Sequence, residues 1–162
     1  PGQVCVCTKQ GGFQQQVPAL SSSKCQELAN HYLGFNGWSS RIIMLQNVSG
    51  FDGEKEEVGK ASQKRSLKFL CALEVTLPNH GVCSRGVALG EADAGSGEDP
   101  LELLMATRRA QKLAVGKALS GAFQKILLVV LENGKVAVEY NSSQEEPTDS
   151  LTEEELKGLV QV

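Results

Sequence analysis

The chain has 162 residues, of which 41% are hydrophobic and 22% charged, and its net charge is −3 at pH 7. That length fits one domain with a buried core, and no apolar run reaches the roughly 20 residues that a membrane-spanning helix needs. A slightly negative chain does not bind nucleic acid through its overall charge, so any such role must come from how the charge is distributed.

The distribution is uneven. Residues 107–125 carry Arg108, Arg109, Lys112, Lys117 and Lys125 with no acid, a net +5. Residues 132–157 carry eight acids against Lys135 and Lys157, a net −6. The first ten residues, PGQVCVCTKQ, lack the basic start and long apolar run of a secretory signal, and Pro1 in place of Met suggests a fragment or processed product. The cysteine count is odd, five, which favours reduced, mostly buried thiols. A zinc site drawn from Cys5-x-Cys7 and His80-x-x-Cys83 has poor spacing, so no metal is expected.

In chain order, Val4 and Val6 alternate with Cys5 and Cys7, and a glutamine-rich connector follows. Ser23 and Gln26 fit a capping box that opens a helix over about Lys24–Leu33. Its apolar face is Cys25, Leu28, Ala29, Tyr32 and Leu33, and Gly34 reads as its C-terminal cap. Asn36-Gly37 supplies a tight reversal with positive φ, and Tyr32, Phe35 and Trp38 pin the corner. A strand over about Trp38–Asn47 leads to a long polar connection, residues 49–65. The clearest strand is Ser66–Leu77, in which Leu67, Phe69, Cys71, Leu73, Val75 and Leu77 alternate with the other face. A turn at residues 78–81 leads to a third strand that ends near Gly90, and an acidic loop follows, Glu91–Asp99.

Asp99, Pro100 and Glu102 open a second helix that runs to about Gln124. Residues 126–131 and 136–140 form a hairpin about Asn133-Gly134, and Thr152-x-x-Glu155 opens a short helix within residues 151–160. The expected class is α+β: an α-β-β-β-α core with an antiparallel sheet packed on one long helix, then a β-hairpin and a short C-terminal helix.

Enzyme signatures are lacking. There is no phosphate loop, nucleophile elbow or His-Glu-x-x-His, and the two histidines, His31 and His80, do not point to a base. The expectation is a protein that is not an enzyme and needs no cofactor. The basic clusters say more. Lys64 and Arg65 close the long connection, either as a phosphate contact or as a solvated hairpin tip. At about 100° per residue, Arg108 and Lys112 share a helix stripe with Leu104, Val115 and Leu119. Two cations on an apolar stripe either snorkel at a sheet edge or line a groove that neutralises phosphate without reading sequence.

The stretch LANHYLGFNGWSSR, residues 28–41, resembles the start of the DNA-binding core of the Rad-fifty-two family of single-strand annealing proteins. The similarity returns at CALEVTL, residues 71–77, and at Ala110, Lys112, Ala114, Val115 and Leu119. It implies a DNA-backbone contact at Arg65 and a basic position at the first helix's start, Lys24. Where the family carries a Lys-Arg pair that binds single-stranded DNA, this chain has Ser120 and Gly121, which implies weaker or differently placed binding. In the members it most resembles, an RNA recognition motif precedes this region. Residues 1–20 are then a linker or the remnant strand of a preceding domain, and residues 21–162 the nucleic-acid-binding domain.

The functional expectation is binding of single-stranded and double-stranded DNA, with RNA as a further candidate. The contacts assigned are Arg65, Lys64, Arg108, Arg109, Lys112, Lys24, Arg41 and Lys117. The resemblance implies a nuclear role, with the cytoplasm as a second location, in the DNA-damage response and recombinational repair. It also implies a homo-oligomer, with the hairpin 126–140 as an edge for pairing between subunits. No membrane is expected as a partner. Two other readings stand beside it. A double-stranded-RNA-binding domain has the same α-β-β-β-α order, but the acidic start at Asp99 and Glu102 would repel phosphate. An assembly or adaptor module would use the acidic segment 139–157 as its docking surface.

Overall fold

The computed structural model describes residues 2–5, 20–49, 66–95 and 99–160. The elements are β1 (Gly2–Cys5), α1 (Ser22–Leu33), β2 (Ser39–Asn47), β3 (Ser66–Leu77), β4 (Val82–Asp93), α2 (Pro100–Gln124), β5 (Ile126–Val130), β6 (Val136–Tyr140) and α3 (Glu153–Lys157). Two antiparallel sheets form, in the orders β2-β3-β4 and β1-β5-β6. The α+β class and the element order are those expected.

Helix α1 starts earlier than the Ser23–Gln26 pattern suggests. Ser21 is the cap: its Oγ accepts from the Lys24 amide at 3.3 Å, and its carbonyl accepts from Cys25 N at 3.0 Å. At the other end Gly34 takes φ 81° and its amide bonds Asn30 O at 3.1 Å. Positive φ was also expected at Gly37, which does not adopt it. The need there is for space, because a Cβ would stand 2.0 Å from the Leu33 carbonyl oxygen. Trp38 pins the corner by donating from Nε1 to Asn30 Oδ1 at 2.8 Å and by packing edge-on to Phe123 of α2, with centroids 5.4 Å apart. Phe35 takes no part in that pinning and is 83% exposed.

Strand β3 is central, and its alternation decides two faces. Phe69, Cys71, Leu73, Val75 and Leu77 are buried in the main core with α1 and α2. On the opposite face Arg41, Glu74 and Arg85 stand in register across β2, β3 and β4. Strand β4 extends to Asp93, beyond the expected end at Gly90.

The packing of α2 corrects the stripe read from sequence in part. Leu119 is buried and Val115 packs against the core, with Ser120 and Phe123 buried beside them, whereas Leu104 is exposed and the row Ala106, Ala110, Ala114, Ala118 and Ala122 is buried. Small size explains the alanine row. A Cβ at Gly86 of β4 would lie 1.8 Å from the Ala118 carbonyl oxygen, and one at Gly90 would lie 2.3 Å from Ala114 N. Helix and strand backbones approach so closely that only alanine and glycine fit between them. Arg108 and Lys112 are therefore not trapped on an apolar stripe.

The opposite sheet face is partly covered, which the sequence did not suggest. Leu156 of α3 is fully buried in a second cluster with Ile43, Met44 and Ala72. Burial of one leucine contributes about 2 kcal/mol. Thr152 and Glu155 form the expected capping box. The hairpin also forms as expected, with Gly134 at φ 82°. Its β5 edge is paired with β1, so among the described residues β6 is the hairpin's open edge. Cysteine chemistry differs from the expectation of reduced thiols throughout: Cys25 is disulfide-bonded, whereas Cys71 and Cys83 are free.

Candidate nucleic-acid interface

Residues 109, 112, 113, 116, 117, 120, 121 and 124 recur at helical spacing beside the buried alanine face. They form one side of a groove of about 720 Å³ along α2. Leu20, Ser21 and Ser22 at the entry to α1, Val87 of β4 and Glu146 complete it. Arg109, Lys112 and Lys117 are its cations, spread along about 12 Å of helix axis. Arg109 Nη2 donates to the Asp93 carbonyl at 3.4 Å. Lys112 and Lys117 are exposed and make no ion pair among the described residues. Leu113, 45% exposed, adds an apolar surface between them.

Local packing explains why Ser120 and Gly121 stand in this groove. Ser120 Oγ donates to the Leu20 carbonyl at 2.7 Å and so ties α2 to the chain entering α1. Gly116 lets the two approach, since a Cβ there would lie 3.2 Å from Ser22 Oγ. A lysine at 120 would lose that bond. At Gly121 the nearest atom to a Cβ is 3.9 Å away, so a side chain would fit.

The other assigned residues are dispersed. Arg108 is exposed and does not line the groove; Leu101, Leu104 and Met105 are exposed one or two turns before it. Lys24 makes a surface pair with Glu27 at 3.4 Å, an arrangement worth little in water. Arg41 lies on the opposite face of the sheet, bonded to Glu74 at 3.4 Å and to Glu153. The Glu153 hydrogen bond and charge push the Arg41 pKa up, and Arg41 in turn holds Glu153 below the usual carboxylate range. Lys64 and Arg65 lie outside the described residues. Lys125 is internal: Nζ binds both carboxylate oxygens of Asp149 at 2.6 Å and the Arg85 carbonyl.

Three features escaped the sequence reading. Arg85 is one, since only strand register shows that it faces Glu74. Phe35 is another: grouping it with Trp38 suggested packing, yet its ring is in solvent. The third is the α1 entry as a groove wall. Among the described residues no cluster of three His, Cys, Asp or Glu side chains is placed to hold a metal.

A family model described as "RDM1 DSRM domain" matches residues 20–127, which include α1, the β2-β3-β4 sheet and α2. The chain belongs to the RDM1 DSRM domain family. The match extends through the whole α-β-β-β-α order that the double-stranded-RNA-binding alternative shares, and the groove's cations sit beyond the acidic start of α2. The chain is 81% identical over 162 residues to RAD52 motif-containing protein 1 of Gallus gallus, covering all of this chain and 57% of that protein. It is 52% identical over 164 residues to the Homo sapiens protein of the same name, with the same coverage. The chain thus spans little more than half the length of these curated relatives. A 39-residue stretch, 24% of the chain and 6% of the relative, is 49% identical to DNA repair and recombination protein mus-11 of Neurospora crassa.

Proposed function

We propose that this chain binds nucleic acid through its phosphate backbone in the α2 groove. The observation that carries the reading is the row Arg109, Lys112 and Lys117, which faces solvent beside a wall of small residues. Fixed cations neutralise phosphate and release counterions without reading base edges, so binding is sequence-tolerant and steeply salt-dependent. The names of the relatives and the DSRM-type family support a nucleic-acid-binding role in repair. Single-stranded DNA is the first ligand proposed, double-stranded DNA the second and RNA the third. Phe35 offers an exposed ring on which an unpaired base can stack.

The chain acts by binding and not by catalysis, in the DNA-damage response and recombination, in the nucleus. Self-association through the open β6 edge belongs to the same proposal. The adaptor reading has less support, because Asp149 and Glu153 of the acidic segment already face Lys125 and Arg41.

The test is fluorescence anisotropy with labelled single-stranded and duplex oligonucleotides at two salt concentrations. Lys112→Ala/Lys117→Ala should weaken binding about tenfold and lower the salt slope by about two. If affinity and slope are unchanged while the fold persists, the groove is not the site.

A further inference from the structure

The sheet face opposite α2 carries the cations Arg41 and Arg85, and one segment meets both of them. Arg41 and Arg85 flank Glu74 across three strands, with Arg85 Nε 3.6 Å and Arg41 Nη2 3.4 Å from its carboxylate. One carboxylate between two guanidinium groups leaves a net positive charge. The segment Asp149–Glu153 crosses this face and supplies an acceptor from every second residue. Asp149 binds Lys125, the Leu151 carbonyl accepts from Arg85 Nη1, and Glu153 binds Arg41. Leu151 and Thr152 are extended between these contacts. The result is a short series of acceptors, joined by two extended residues and laid along a row of cations, as the oxygens of a nucleic-acid backbone would be.

The contacts differ in how open they are. Lys125 and Asp149 are 5% and 9% exposed, and Leu156 is fully buried, so the two ends of the segment are anchored. Between them Arg41 and Glu153 are 53% and 40% exposed. An ion pair in contact with water contributes little and exchanges readily. A phosphate offers arginine more acceptor oxygens than a single carboxylate contact and pairs with it in two-pronged fashion.

We infer that Arg41, backed by the less exposed Arg85, forms a second phosphate-binding position for nucleic acid, and that the segment Asp149–Glu153 holds it closed as an intramolecular stand-in for phosphate. The inference rests on the reading that this chain binds nucleic-acid backbone. It adds a site distinct from the cations of the α2 groove, whose occupation requires Glu153 to leave Arg41. It also gives the −6 segment a role: the negative charge screens one cationic face.

The experiment is a double-mutant cycle on the full chain, read by anisotropy with a single-stranded oligonucleotide across a salt series. Glu153→Gln should tighten binding about threefold and steepen the salt slope by about one. Glu154→Gln removes the same charge from the same helix without freeing Arg41, and should give a much smaller change. Arg41→Ala should cost clearly more affinity in the Glu153→Gln background than in the wild type. Thermal melts show that each variant is folded. Equal gains from Glu153→Gln and Glu154→Gln would mean a net-charge effect only, and an equal cost of Arg41→Ala in both backgrounds would mean no gating; either result overturns the inference. The Lys112→Ala/Lys117→Ala variant reports separately on the α2 groove, so the failure of one site is distinguishable from the failure of the other.

Discussion

The two faces of the central sheet treat their cations in opposite ways. On the α2 side, Lys112 and Lys117 stand free in a groove and Arg109 bonds only a backbone carbonyl among the described residues. On the other side, Arg41, Arg85 and Lys125 are each bonded to the C-terminal segment. The difference teaches that a count of basic residues does not locate a phosphate site. What matters is which cations the fold leaves without a carboxylate, because a paired guanidinium meets phosphate only when its carboxylate leaves and a buried cation cannot reach the ligand.

The paired face can be broken at its driest point. Asp149→Ala removes the counter-charge of a buried lysine and one cap of the turn before α3, since Asp149 also accepts from Glu146 N at 2.8 Å. A cost of about 4 kcal/mol is expected in urea denaturation. On the α2 face, stability depends on close backbone approach. Gly86→Ala should cost about 3 kcal/mol, whereas Gly121→Ala on the groove wall, in helical backbone with room for a Cβ, should raise stability by about 0.5 kcal/mol. Similar midpoints for these two variants would show that the helix yields more than its packing suggests.

A gain of function sharpens the comparison at smaller magnitude. Gly121→Arg adds a fourth cation to the open groove where a Cβ is tolerated, and should tighten single-strand binding about threefold at low salt. Ser120→Lys should gain less, because it gives up the hydrogen bond to Leu20. The smallest effect is chemical. Burial pushes the Cys71 thiol from 9.0 up to about 11. The neutral thiol is favoured in the folded state, so its contribution is present below the ordinary thiol pKa and is lost as pH rises through about 11. At about pH 8, iodoacetamide should modify exposed Cys83 and spare Cys71, as read by peptide mass spectrometry.

Local rules were legible wherever a residue's role depends on its near neighbours. Gly34 as a cap, Asp99 and Pro100 at the start of α2, the Asn133-Gly134 turn and the Thr152–Glu155 box all stand where sequence places them. The alternation of β3 was equally clear, because period two admits one buried face. The candidate site was legible in part. Lys112, Lys117 and Arg109 line the groove, whereas Arg108 does not and Arg41 lies on the other face of the sheet. The α2 stripe was legible at Val115 and Leu119 but not at Leu104 or along the alanine row, because hydropathy ranks leucine above alanine while the sheet selected for size.

By itself the sequence determined the elements, their order, the α+β class and the polarity between a basic helix and an acidic C-terminal segment. These follow from periodicity, caps and charge, which act over a few residues. Only the tertiary structure decided which cations are free. Whether Arg41 meets phosphate or Glu153, 112 residues away in the chain, depends on where α3 docks against the sheet. No local pattern records that distance, because it is set by the burial of Leu156 and the closure of a loop and not by any neighbour of Arg41.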